Sequence, residues 1–176
     1  AKVIVADKNI KKNNQNFYRV NANDEKELKK FIFKLEKKYK KIDTVINCIY
    51  PKFESKKKIF LKISKFNFLK DINYHLGTFF ILNQIFCKYF IKKKDGQIIN
   101  FSSIYGNFIP RFEIYEGSNI SMNLDYMISK NSIINMSKYL AKEMMKYNIR
   151  VNIISPGGVF DNQHKIFVKK YSKFCR

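Results

Sequence analysis

The sequence predicts an α/β fold, a parallel β-sheet covered by helices on both faces. Three observations predict it. Short apolar runs recur without polar alternation, as in Val3-Ile4-Val5-Ala6 and Val45-Ile46. Longer segments of helical period separate these runs. The chain has 176 residues, 45% apolar and 28% charged, a size and composition that suit one globular domain.

Residues 3–7 form the first expected strand, closing on Asp7. Residues 17–21 form the second, after a polar Asn- and Lys-rich loop. Asn23 or Asp24 can cap a helix running to about Tyr39, with Leu28, Phe31, Ile32 and Leu35 inward. A third strand covers 42–47, and 51–62 reads as a basic loop. A long helix is expected from Ile63 to about Lys92, apolar at Phe79, Leu82, Ile85, Phe86 and Phe90. After the turn Asp95-Gly96, a strand covers 97–102 and a long loop covers 104–122. A helix over 125–147 and a last strand over 149–154 follow, ended by Pro156-Gly157-Gly158. The polar tail from Asp161 is expected to be helical at its end. In such a sheet crossovers are right-handed, and ligands sit outside the carboxyl ends of the strands. Those ends carry Asp7, Asn21, Asn47, Ser102 and Ser103, and residues 155–158.

Composition excludes several classes. No apolar run approaches the ~20 residues of a membrane span, and no secretory leader is visible. Cys48, Cys87 and Cys175 are too scattered for a disulfide scaffold or a metal site, so a reduced, cytoplasmic setting is expected. The net charge of +21 invites a nucleic-acid reading. Against it, four of the 35 cations are arginines, the lysines spread over the whole chain, and Lys, Ile and Asn dominate the composition. This pattern fits compositional drift on solvated faces better than base reading, which leans on Arg forks. A gel shift that weakens steeply with salt would support the rival lysine-driven binder.

Chemistry concentrates at Tyr126-Met127-Ile128-Ser129-Lys130. Residues four apart share a helix face, and an ammonium beside a phenol favours the phenolate. Alone, the pair also fits a surface helix. Its context is a preceding Asn100-Phe101-Ser102-Ser103 and a following Arg150-Val151-Asn152 and Pro156-Gly157. With these motifs in order, the sequence resembles the short-chain dehydrogenase/reductase family. The resemblance implies a Rossmann-type doubly wound parallel sheet and one partial NAD(P)-binding domain over 1–176. It implies hydroxyl–carbonyl interconversion with NAD, NADP not being excluded.

It also implies roles. Tyr126 is the expected general acid/base, with Lys130 lowering its pKa and holding the nicotinamide ribose. Ser103 is the expected hydrogen-bond donor to substrate, with Ser102 as its competitor. Asp7 is expected on the adenosine ribose, favouring NAD, or else as a turn cap. Asn47 is expected beside the cofactor, and Pro156, Gly157 and Gly158 are expected to let it approach the backbone. The family's helix Asn falls at His75, with Asn73 the slipped alternative. His75 is read either as a proton relay or as a partly buried polar group, and His164 as a surface residue.

The sequence departs from the family at Asn47-Cys48-Ile49-Tyr50 and at Asn21, where an acidic adenine contact is usual. Ser103 and Tyr126 stand further apart than is usual in the family. The extra stretch, 110–119, makes Arg111, Glu113 and Glu116 candidates for binding a polar substrate, or members of a variable loop. The six glycines never form the family's Gly-x-x-x-Gly-x-Gly turn. A fragment is therefore expected, truncated at both ends and lacking the first and last strands. Such a fragment should hold cofactor poorly, and a catalytically inactive one would act at most as an interaction surface. Segments 112–117 and 155–163 resemble bacterial oxidoreductases of flagellin modification and sialic-acid-like sugar pathways. That resemblance implies a sugar or nucleotide-sugar substrate, and the family implies a homo-oligomer when full length. No metal, nucleic acid or membrane partner is expected.

Overall fold

The computed structural model describes residues 1–50, 60–118 and 120–175. Most of the expected basic loop, 51–59, lies outside the described residues, as do Asn119 and Arg176. Strand β1 (Val5–Asp7) pairs with β2 (Phe17–Arg19), and β3 (Thr44–Asn47), β4 (Gly96–Phe101) and β5 (Ile149–Ile154) form a second sheet with β4 central. Every pairing is parallel, with Ile98 opposite both Val45 and Val151. Helices α1 (Glu25–Tyr39), α2 (Lys65–Lys93) and α3 (Leu124–Met144) supply the crossovers into β3, β4 and β5, and α4 (Lys165–Ser172) closes the chain.

Local chemistry fixes the helix ends. The Asp24 carboxylate accepts the backbone N–H groups of Lys26 and Glu27 and starts α1, and Ser64 accepts from Asn67 to start α2. Lys94, left-handed at φ 55°, ends α2. Gly96 is required where β4 begins, because a Cβ there would overlap the fully buried Phe90 ring.

One core joins the two sheets: Leu28, Ile32 and Leu35 of α1 pack with Leu82, Phe86 and Phe90 of α2 and with Ile98, Ile149 and Val151. Each buried side chain of this size contributes roughly 2 kcal/mol of transfer energy. The sequence predicts cover on both sheet faces. Among the described residues the cover is one-sided: Ile98, Asn100, Ile149 and Val151 are buried, whereas Ile46 and Ile154 of the same sheet are exposed. Strand side chains alternate between faces, so the helices cover one set and leave the other in solvent. Among the described residues β1 and β3 are not hydrogen-bonded to each other, which agrees with the expected missing central strand.

The predicted long loop contains two 3-10 turns, Ile104–Gly106 and Phe112–Tyr115. Around them β4, β5, α2 and α3 bring the expected chemistry to the carboxyl end of the larger sheet.

Candidate active site

The end of β4 hands successive residues to α3. The Ser102 amide donates to Ile154 O at 2.8 Å and the Ile104 amide to Pro156 O at 3.0 Å, so the β4 and β5 exits stay side by side. The buried Ser102 hydroxyl donates to the Lys130 carbonyl at 2.8 Å. Gly106 allows this close packing, since a Cβ there would meet Ser102 Oγ and Ile134 Cδ1 at 2.8 Å. Ser103 accepts from the Tyr105 amide at 3.2 Å, and its hydroxyl faces the Tyr126 phenol. The two serines are thus distinguished: Ser102 holds the α3 backbone and Ser103 faces Tyr126.

Tyr126 and Lys130 share the inner face of α3, with Lys130 Nζ 5.7 Å from the Tyr126 ring centre. Lys130 is 4% exposed and donates to the Phe101 carbonyl at 2.8 Å. His75 reaches the same place from α2, its ring 6.0 Å from that of Tyr126, and Tyr50 lies edge-on to both rings. Asn73, two residues earlier and so on another face of α2, is exposed and sits against Gly77. The inward position therefore belongs to His75. Its Nε2 has no hydrogen-bond partner among the described residues.

Burial governs the titration of all three groups. It pushes His75 down to about 3, with Lys130 adding to the effect, so the imidazole is neutral. It pushes Lys130 down to about 8. It pushes Tyr126 up, and the Ser103 hydroxyl offsets only part of that. The sequence predicts a phenol acidified by Lys130. The protein alone has the opposite direction, because desolvation of a phenolate outweighs an ammonium that is itself desolvated and already bonded to a carbonyl.

Beneath these groups lies a polar network that sequence reasoning missed. The Asn47 amide donates to Asn100 Oδ1 at 2.7 Å, and the Asn100 amide donates to Asn83 Oδ1 at 3.0 Å and Ser137 Oγ at 2.8 Å. Asn47, expected beside the cofactor, is thus bonded into the sheet and 2% exposed. The available signal is an Asn within the apolar run Ile98-Ile99-Asn100-Phe101 and another among Leu82, Ile85 and Phe86. Buried amides need partners, so two on facing apolar surfaces point to each other.

The remaining candidates are engaged by other parts of the chain. Asp7 is exposed, and its Oδ1 accepts the Asn9 amide at 2.7 Å, a turn cap. The Gly158 amide donates to the Tyr171 hydroxyl at 2.7 Å, and a Cβ at Gly158 would lie 2.7 Å from the Tyr171 ring, so here the glycine admits α4. Exposed Gly157 and half-buried Pro156 continue the same turn. Arg111 stacks on Phe174 at 4.4 Å. Lys170 donates to the carbonyls of Glu113 and Glu116 at 2.9 and 3.1 Å and lies 3.5 Å from the Glu116 carboxylate. These three candidates therefore clamp the 3-10 turn to the C-terminal segment. The Tyr115 ring packs on Phe167 beneath the clamp, 5.4 Å between centres. His164 is exposed and caps α4 by accepting the Ile166 amide. Among the described residues no three metal-ligating side chains cluster, and no helix is long and apolar enough to cross a membrane.

Several known proteins are similar to this chain. The family profile described as Enoyl-(Acyl carrier protein) reductase matches residues 4–169. The post-translational flagellin modification protein A of Campylobacter coli is 42% identical over 78% of this chain and 54% of its own length. A 3-oxoacyl-[acyl-carrier-protein] reductase of Thermotoga maritima is 30% identical over 80% of this chain and 52% of its own length. The chain spans about half the length of these curated relatives. Among solved structures, a short-chain dehydrogenase from Leptospira borgpetersenii with bound NAD+ superposes with TM-score 0.82 at 32% identity, over 97% of this chain and 66% of that one. Profile, relatives and superposition together show that the chain belongs to the short-chain dehydrogenase/reductase family.

Proposed function

We propose that the intact protein is an NAD(P)-dependent oxidoreductase that interconverts a hydroxyl and a carbonyl. The observation that carries this is the meeting of Ser103, Tyr126, Lys130 and the unpartnered His75 Nε2 at one strand end. The site fits a nicotinamide nucleotide: a dry ammonium stands beside the phenol, and a buried ring nitrogen still seeks a donor. Lys130 would hold the nicotinamide ribose, with the turn of Pro156, Gly157 and Gly158 beside it and Asn47 behind. When bound, the nicotinamide supplies hydride exchange with the substrate carbon. Ser103 orients the substrate oxygen by hydrogen bonding. Tyr126 gives that oxygen its proton in reduction and takes it in oxidation. His75, neutral, accepts a hydrogen bond at Nε2 and positions a water or hydroxyl that restores the proton.

Asp7 supports a preference for NAD, since its exposed carboxylate closes β1 where a ribose can reach it. Two similar solved dehydrogenases hold NAD+ and NADH. The flagellin-modification relative supports a substrate from surface-glycan chemistry, a sugar or nucleotide-sugar. A groove of roughly 590 Å³ along α2 and α3, lined by Leu69, Leu76, Phe80 and Met136, supports pairing with a second copy of the chain. A cytoplasmic setting suits the nucleotide cofactor.

The test uses the intact protein and a panel of keto-sugars and nucleotide-linked keto-sugars. Tyr126→Phe should lower NADH consumption by about 10²–10⁴-fold while NADH titration by fluorescence is unchanged. Retained turnover removes Tyr126 from its role, and failure to bind NADH removes the whole reading in favour of an inactive fold. Parallel titration with NADPH tests Asp7: tighter binding of NADPH would overturn the ribose contact.

A further inference from the structure

Asn100 is the penultimate residue of β4 and is fully buried. Its Oδ1 accepts from the Asn47 amide at 2.7 Å and the Asn83 amide at 3.3 Å. Its Nδ2 donates to Asn83 Oδ1 at 3.0 Å and Ser137 Oγ at 2.8 Å. A side-chain amide has two acceptor sites and two donors, and all four are used. Its partners are equally dry: Asn47 is 2% exposed, Asn83 1% and Ser137 0%. Ser137 and Asn83 complete their own bonding inside their helices, to the Ile133 and Phe79 carbonyls at 2.7 Å. The hub therefore ties β3, β4, α2 and α3 together with no orphan at its centre.

Its place in the chain is as informative as its bonds. Four successive residues grip α3. Asn100 holds Ser137, the Phe101 carbonyl holds the Lys130 ammonium, the Ser102 hydroxyl holds the Lys130 carbonyl, and Ser103 faces Tyr126. On the other helix, Asn83 lies about two turns beyond His75 on the same inner face. Apolar contacts tolerate sliding of one helix past another, whereas directional bonds to a filled amide define one register. An apolar side chain at 100 would pack, but it would leave the Asn47 amide and Asn83 Oδ1 without their partner and Ser137 Oγ without its donor.

We propose that Asn100 is a positioning residue: it fixes α2 and α3 against β4 so that His75, Tyr126 and Lys130 converge on Ser103 and water stays out of the Lys130 pocket. This rests on the reading of Tyr126 and Lys130 as the working pair. It adds Asn100, with its arms Asn83 and Ser137, as the group that sets their geometry without touching substrate.

The experiment reads the Lys130 environment directly, in the intact protein. Lysine is labelled with ¹³C at its ε carbon, and the Lys130 signal is assigned by its loss in Lys130→Met. Among the described residues Cys48, His75 and Tyr126 are titratable groups around it, with Tyr50 packed on the two rings, and none is altered. Ser137→Ala removes the α3 arm of the hub, and Ser137→Thr keeps the hydroxyl. Water admitted to the pocket favours the ammonium, so the midpoint should rise by about half a unit or more in Ser137→Ala and return in Ser137→Thr. Ile133→Val trims the same buried face without touching a hydroxyl, and it should lower Tm yet leave the midpoint in place. Should Ser137→Ala fail to fold, Asn83→Ser opens the α2 arm and should move the midpoint the same way. An unchanged midpoint in the folded hub variants, or an equal shift in Ile133→Val, overturns the proposal. The titration needs no turnover, so its failure is distinct from failure of the Tyr126→Phe assay.

Discussion

Among the described residues two lysines hold backbone carbonyls, in very different surroundings. Lys130 reaches out of α3 to the Phe101 carbonyl at 2.8 Å and is 4% exposed. Lys170 reaches out of α4 to the carbonyls of Glu113 and Glu116 at 2.9 and 3.1 Å, with its side chain 36% exposed and a carboxylate nearby. The bonds are alike, but their consequences differ. In the dry pocket the ammonium is costly, and its pKa falls to about 8. At the wet rim the ammonium keeps water and a counter-charge, and the contact clamps the 3-10 turn to α4 at little cost. Chemistry that depends on a perturbed group belongs to the first environment, and adjustable shape belongs to the second.

The comparison is easiest to break with acid. His75 is buried beside Lys130, and its pKa is about 3 in the folded chain against 6.5 when free. The unfolded chain therefore binds the extra proton first, and stability is lost as pH falls from 6.5 toward 3. The full shift corresponds to an order of magnitude of about 5 kcal/mol. Urea denaturation of the intact protein at several pH values, with His75→Gln as reference, should show a difference that grows across this window. Parallel pH curves for the two proteins would mean that the imidazole is hydrated.

Replacing the dry lysine should sharpen the contrast. Lys130→Met keeps the chain length and removes a charge that the fold disfavours. At pH 7 it should raise stability by about 2 kcal/mol while abolishing turnover, the sign expected of a functional group held against its own solvation. The gain should shrink as pH rises from 8 toward 10.5, because wild-type Lys130 is then neutral in the folded chain. A loss of stability at pH 7 would show that the Phe101 contact outweighs the desolvation.

The same change at the rim should do least. Lys170→Met should alter stability by under about 1 kcal/mol. Its trace should be local, as faster amide exchange at residues 113–118 and at Gly158, whose N–H is bonded to Tyr171. A global loss above about 2 kcal/mol, the scale of a core defect, would mean that the clamp belongs to the core after all.

Legibility followed the same division. The parallel strands, the crossover helices and the Ser103–Tyr126–Lys130 order were readable, because period and spacing are local properties of a chain. Of the paired alternatives, His75 is buried and Asn73 exposed on α2, while Ser102 is bonded to the α3 backbone and Ser103 faces Tyr126. The insert residues Arg111, Glu113 and Glu116 look like ligand-binding groups in sequence, yet they are bonded to Phe174 and Lys170, far along the chain. No local pattern records that pairing. The Asn100 hub escaped for the same reason, since each of its members is ordinary until four elements are brought together.

By itself the sequence determined which segments are strands and helices, which way they run, and which residues can reach one end of the sheet. Hydrophobic period and chain order suffice for that, because backbone geometry converts them directly into faces. Only the tertiary structure decided the protonation tendencies: a raised Tyr126, a Lys130 near 8 and a neutral His75. Those depend on how much water the packed neighbours exclude, a property of the assembled volume and not of any segment within it.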